Sequence, residues 1–389
     1  MPTDTSPDPA SPTDTTDPTE VAPFRVAFPE AALADLRDRL ARTRWPEPET
    51  VQDWSQGVPL AYLRELCDYW QHTYDWRATE ARLNAVPQVR TVIDGLGLHA
   101  LHARSPHPDA LPLLVTHGWP GSVVEFLDLL PELTNPADPA DAFHVVCPSL
   151  PGFGFSDKPA SPGWTAERMA AALPELMSRL GYERFAAHGV DWGSFITAIM
   201  GETDTGRLVG LHVTMPFARP PQEEAALSEA DYAGLAALKK FQQEEGGYSV
   251  LQATRPQTLG YALTDSPAGQ LAWMAEKYRA WSDHGGDPHG VIDRDRLLDA
   301  ATVSWLSATA ASSARIYWES QNKLALAPVK VPAAVSNFPR DGRMPRPWIE
   351  NRFTDLRQWR DHDHGGHFPA LEQPGLLLDD LRTFFRPLR

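Results

Sequence analysis

Gly189-Val190-Asp191-Trp192-Gly193 constrains this chain more than any other stretch, because it asks a strand to turn at once into a helix. Phe185–Val190 reads as a buried strand and Ser194–Gly201 as a helix, and the small residues flanking the tip leave room for a sharp turn. The tip itself carries a carboxylate. Apolar runs of the same kind recur at Leu111–Thr116, Ala142–Cys147, Val209–Thr214, Val329–Ser336 and Leu356–Arg360. Helical patterns at Val123–Leu133, Ala166–Leu180 and Leu376–Phe385 fall between or after them. Strands alternating with helices predict a mostly parallel, doubly wound α/β sheet.

Two regions depart from this alternation. Residues 217–325 are helical and loop-rich and are expected to form a lid inserted into a core made of 88–216 and 326–389. Residues 23–87 precede the core as an N-terminal extension, with a short strand at Phe24–Phe28 and helices at Pro29–Arg42 and Pro59–His72. The first 22 residues are mostly Pro, Thr, Asp and Ser, have little to bury, and are expected to be a disordered tail.

Composition narrows the partners. With 35 Lys+Arg against 51 Asp+Glu the net charge is −16, which disfavours nucleic acid and anionic membranes. Cys67 and Cys147 are too few for a disulfide scaffold. No charged start precedes an apolar run, and nowhere do about 18 apolar residues follow one another, so neither a signal peptide nor a membrane span is expected. A cytoplasmic protein fits best, and a homodimer is compatible with the sequence.

A carboxylate at the elbow cannot do serine chemistry. It is an anion suited to attack on a saturated electrophilic carbon, such as that of an epoxide or an alkyl halide, leaving an ester on the enzyme. Clearing that ester needs a general base, an acid to orient it, and donors for an oxyanion. Asp341, in the loop after Val329–Ser336, and His367, after Leu356–Arg360, follow the nucleophile in the order acid then histidine. His362 and His364 alternate with Asp361 and Asp363 as at the polar end of a strand, whereas His367 follows two glycines that permit a sharp turn. A metal reading of this cluster lacks a matching Cys or Glu/His set. The expected oxyanion donors are the amides of Trp192, after the nucleophile, and Trp119, in the turn His117-Gly118-Trp119-Pro120. No cofactor and no metal is required.

Taken together and in this order, several motifs make the chain resemble the microsomal-type epoxide hydrolases of the α/β-hydrolase superfamily. They are Phe24-Arg25-Val26 through Arg42-Thr43-Arg44-Trp45-Pro46-Glu47, Ile93-Asp94-Gly95-Leu96, His117-Gly118-Trp119-Pro120, Pro148–Ser156, the Asp191-Trp192 elbow and Gly365-Gly366-His367-Phe368. The resemblance covers nearly everything from residue 23. It implies an α/β-hydrolase fold with an eight-stranded sheet, and conversion of an epoxide to a vicinal diol by a bacterial form without the membrane anchor of animal relatives. It also implies two lid tyrosines that hold the epoxide oxygen, Tyr248 in Gly246-Gly247-Tyr248 and Tyr317 in Ser312–Tyr317. The family acid is usually Glu, and here it is Asp341.

A haloalkane dehalogenase shares an Asp-Trp elbow but needs halide donors, and 13 tryptophans leave that reading open on composition alone. The tyrosine segments and the N-terminal extension favour the epoxide. A non-catalytic binding protein of the same fold would have no need of every catalytic position. A serine esterase would need a serine at the tip. The lid and the tryptophans suggest a bulky apolar or aromatic small-molecule epoxide, met in detoxification or in secondary metabolism.

Overall fold

The computed structural model describes residues 19–221, 226–287, 289–321 and 323–389. Most of the expected tail lies outside the described residues, but Ala22, assigned to that tail, is the first residue of a strand. The strands are β1 (Ala22–Phe24), β2 (Gln88–Ile93), β3 (Leu96–Ala103), β4 (Leu111–Thr116), β5 (Phe143–Pro148), β6 (Phe185–Gly189), β7 (Leu208–Val213), β8 (Ala333–Asn337) and β9 (Leu356–Asp361). They form one nine-stranded sheet in the order β1-β2-β3-β5-β4-β6-β7-β8-β9. The pairs from β5 to β9 are parallel, and β1, β2, β3 and β5 alternate in direction.

The sheet has one strand more than the expected eight, because β1 adds to the edge of β2 with Ala22 opposite Arg90 and Phe24 opposite Gln88. The strand expected at Phe24–Phe28 therefore sits earlier. Beyond Phe24 the backbone donors are taken by side chains instead of a ladder: Val26 N–H donates to Asn84 Oδ1 (2.9 Å) and Phe28 N–H to Glu80 Oε1 (3.0 Å). Both acceptors lie on a helix not anticipated from the sequence. The extension holds α1 (Glu30–Ala41), α2 (Leu60–His72) and this α3 (Trp76–Ala85), which starts where Asp75 accepts the Arg77 N–H.

The single helix expected at Val123–Leu133 is instead a 3₁₀ turn, Val123–Phe126, and a short α4 (Leu130–Thr134) that carries Pro131 in its first turn. Proline fits the first turn, where its missing N–H costs no hydrogen bond, so the helix restarts at it. The strand expected from Val329 shortens to β8 for a related reason. Pro332 has no N–H to give to a ladder, and Val329 keeps only an isolated bridge to Phe353.

The remaining core helices are α5 (Ala166–Arg179) and α6 (Trp192–Thr203). Between β7 and β8 run α7 (Glu229–Glu244), α8 (Gly247–Thr254), α9 (Pro256–Asp265), α10 (Pro267–Trp281), α11 (Arg294–Leu306) and α12 (Ala310–Ser320). After β8 come α13 (Arg346–Arg352), α14 (Pro369–Glu372) and α15 (Pro374–Phe385). The extension grips α11 by polar contacts: Trp70 Nε1 donates to Thr302 Oγ1 (2.9 Å), and Tyr74 and Thr79 donate to the buried Asp299 (2.8 and 2.5 Å). Among the described residues no helix is long and apolar enough to cross a membrane.

A polar chain crosses the sheet behind the elbow. His188 and His212 meet at 3.0 Å through their Nδ1 atoms, His212 Nε2 meets Ser336 Oγ at 2.8 Å, and Asp380 joins Ser336 (2.5 Å) to His362 (2.7 Å). Burial pushes His99 down to about 3 and His102, His117 and His188 down to about 4, and it carries His212 well below its ordinary range. Burial works the other way on two carboxyls, lifting Glu125 to about 8 and Glu372 to about 7. Below about pH 6.5 the unfolded chain takes up protons on these imidazoles that the folded chain refuses. Their stabilisation is complete above that pH and is lost as pH falls toward the folded values. The two carboxyls, protonated in the fold and ionised in the unfolded chain down to about pH 4.5, restore part of it. The imidazoles of this set outnumber the carboxyls, so stability falls as pH drops from about 6.5 toward 5. Urea midpoints across that range should show it, and a midpoint unchanged from pH 7 to pH 5 would refute it.

Candidate active site

Asp191 sits between β6 and α6 with φ 49° and ψ −127°, a conformation that L-residues resist and that lifts its side chain clear of the turn. The two glycines are a steric requirement of this geometry. A Cβ on Gly189 would lie 2.1 Å from the Gly193 carbonyl oxygen, and one on Gly193 would lie 2.0 Å from that of Thr116. Asp191 is the residue that caps α6, at a helix end where unpaired amides and the helix dipole favour negative charge. Trp119 N–H donates to Asp191 Oδ1 at 2.6 Å. The His117–Trp119 turn is held by its own histidine, which is neutral through burial: its Nε2 accepts the Leu150 N–H at 3.3 Å and its Nδ1 contacts the Gly118 carbonyl at 3.1 Å.

His367 lies between two carboxylates. Its Nε2 is 3.4 Å from Asp191 Oδ2 and its Nδ1 is 3.0 Å from Asp341 Oδ1. All three side chains are at least nine-tenths buried. Gly365, with φ 100°, turns the chain inward before the histidine, whose backbone N–H donates to the Trp281 carbonyl at 2.9 Å. Asp341 is one methylene shorter than the usual glutamate, and the loop after β8 brings it within hydrogen-bonding range all the same. Its Oδ1 also accepts the Gly342 N–H at 2.9 Å, while its Oδ2 is buried without a partner. The other histidines of the cluster are engaged or exposed: His362 pairs with Asp380, and His364 is on the surface. Burial alone would depress the His367 imidazolium, but Asp341 and Asp191 together outweigh it and raise its pKa well above the ordinary range.

Tyr248, in the first turn of α8, and Tyr317, on α12, meet over the elbow with ring centroids 5.7 Å apart. Tyr248 stacks on Trp119 at 5.1 Å, and Tyr317 stands edge-on to Trp192 at 5.1 Å and to Trp119 at 5.9 Å. Burial, followed by the charge of Asp191, raises the Tyr248 phenol above its ordinary range. Burial also raises Tyr317, followed by the charges of Tyr248 and Asp191. Both are therefore neutral O–H donors at working pH. The Trp192 amide opens α6 and is one of those a helix leaves without an internal partner.

Three further side chains stand at this site that sequence reasoning missed. Trp281 packs edge-on against His367 (4.8 Å) and near Tyr248 (5.2 Å), and its indole N–H is buried without a partner. Glu125 is buried close enough to feel the charges of His367 and Asp191. An acid inside the apolar run Val123-Val124-Glu125-Phe126-Leu127 was the signal that could have found it. Lys277 is buried on α10 with its Nζ over the Tyr248 ring. Nothing local in the sequence marks it.

Residues 21–126 match the family described as epoxide hydrolase N terminus, and residues 112–245 match the alpha/beta hydrolase fold. A provisionally named epoxide hydrolase of Stigmatella aurantiaca is 50% identical over 95% of this chain and 86% of its own length. Epoxide hydrolase 1 of Sus scrofa is 32% identical over 94% of this chain and 88% of its own. The Aspergillus niger epoxide hydrolase structure superposes with a TM-score of 0.87 at 32% identity, covering 95% of this chain and 97% of that one. An elbow that carries a carboxylate, and a relationship running through extension, core and inserted helices alike, place the chain in the microsomal-type epoxide hydrolase family, as an epoxide hydrolase of the α/β-hydrolase fold.

Proposed function

We propose that the epoxide is opened in two steps through an ester on Asp191. Asp191 Oδ2 attacks the less hindered ring carbon, and the carbon–oxygen bond on its far side breaks. The departing oxygen takes its electron pair and a proton from the Tyr248–Tyr317 pair. Water then attacks the Asp191 carbonyl carbon and gives a proton to His367, with Asp341 stabilising the imidazolium behind it. The amides of Trp119 and Trp192 hold the tetrahedral oxyanion. Collapse expels the diol oxygen, which takes the second proton of the attacking water, and the resting pair of Asp191 carboxylate and His367 imidazolium is restored.

The observation that carries this reading is the position of His367 between two carboxylates. At rest both charges hold the imidazole protonated, which is the wrong state for a base. Once Asp191 is alkylated, one of those charges is gone and the pull on the proton weakens. The re-forming tyrosine hydroxyl needs a proton at that stage, and its supply through the site leaves His367 neutral. Ester formation thus prepares the base that removes the ester.

The surrounding rings of Trp119, Trp192, Phe195, Tyr248, Trp281 and Tyr317 favour a bulky apolar or aromatic epoxide. Residues 217–325 serve as its lid. Single-turnover hydrolysis in heavy-oxygen water tests the scheme: the first diol formed should carry an ordinary oxygen from Asp191. Label in that first diol would mean direct attack by water and would end the covalent reading.

A further inference from the structure

The Lys277 side chain is only 3% exposed, and its Nζ lies 4.8 Å from the centre of the Tyr248 ring. A lysine is rarely buried, because a desolvated ammonium is costly unless something pairs it. Here Glu276 supplies the pair: its Oε1 is 2.5 Å from Nζ, and Glu245 adds a second negative charge nearby. The fold therefore keeps a charged amine at a ring where packing alone would be served by methionine or leucine. The ring is not an arbitrary one. Tyr248 stacks on Trp119 and meets Tyr317, and Asp191 and Asp341 both press its phenol toward the neutral form.

We propose that Lys277 is a positioning residue for ring opening: its ammonium, held over the Tyr248 ring, strengthens that phenol as donor to the departing epoxide oxygen. This rests on the role given above to Tyr248. During ring opening negative charge leaves Asp191 and develops on the oxygen that Tyr248 holds. A cation over the ring face attracts the π-electrons and gains most when the phenol oxygen becomes more negative. Its attraction is thus greater in the transition state than in the ground state, the condition for raising a rate. Ester cleavage develops its charge at the Trp119 and Trp192 amides, away from the phenol, so Lys277 should not act on that step.

Lys277→Met keeps length and loses charge, Lys277→Arg keeps charge, and each is combined with Tyr248→Phe. Rapid quench with mass spectrometry of the intact chain times ester formation and ester loss separately. Lys277→Met should slow ester formation by about 10- to 30-fold. Ester cleavage should stay within about threefold, a change of under 1 kcal/mol. Lys277→Arg should recover most of the lost rate, and Lys277→Met should add nothing once Tyr248 is Phe. If Tyr248→Phe itself leaves ester formation untouched, the role of Tyr248 falls and this inference with it. If Tyr248→Phe is slow but Lys277→Met is not, only the lysine inference falls. Equal losses in both steps without rescue by arginine would make Lys277 a packing residue of α10.

Discussion

His367→Gln should lose turnover by about 10³-fold while an ester accumulates on the enzyme. Glutamine fills much of the imidazole's space and can hydrogen-bond to Asp341, but it cannot take a proton from water. In the proposed scheme ring opening does not use His367 as a base, so the first half of the reaction should continue. Intact-mass spectrometry after mixing with substrate should show the chain heavier by one substrate. The adduct should map to the peptide containing Asp191. Normal turnover in this variant would show that His367 is not the base. Loss of turnover without an adduct would show that it acts before, not after, the carbon–oxygen bond breaks.

Tyr248→Phe combined with Tyr317→Phe should have the opposite signature. Both rings stay, so the stack on Trp119 and the edge contact with Trp192 survive, and only two O–H donors are lost. Each donor to a developing oxyanion is worth about 10²- to 10³-fold, so the double variant should fall by roughly 10⁴-fold or more. Here no adduct should form, because the block precedes the ester. The two variants together separate the halves of the cycle. An adduct forming at an ordinary rate in the double variant would remove the tyrosines from the mechanism.

Much of the geometry of the candidate site is legible in the chain because it is built from short, local devices. The elbow, the turn at Trp119 and the two glycines before His367 each impose a backbone course that neighbouring residues reveal. The order of Asp191, Asp341 and His367 followed from the order of the strands. Placement that depends on distant partners was not legible. The course of Phe24–Phe28 is decided by Asn84 and Glu80, more than 50 residues away, and not by its own alternation. Pro131 and Pro332 cut a helix and a strand that the apolar pattern alone runs through. Trp281 and Lys277 lie on α10, and their importance comes only from the rings that α8 and the Trp119 turn bring to them.

The aromatic wall has one more consequence, for how the reaction can be watched. Trp281 lies 4.8 Å from His367, Trp119 is stacked 5.1 Å from Tyr248, and Trp192 directly follows Asp191. A protonated imidazole quenches indole emission more strongly than a neutral one, and emission also responds to the appearance or loss of a nearby charge. In the proposed scheme alkylation of Asp191 should change both at once, and cleavage of the ester should reverse both. The rise and decay of that ester should therefore be coupled to light emitted from the walls of the site, so that an unmodified enzyme with an unlabelled, colourless epoxide would carry its own optical reporter.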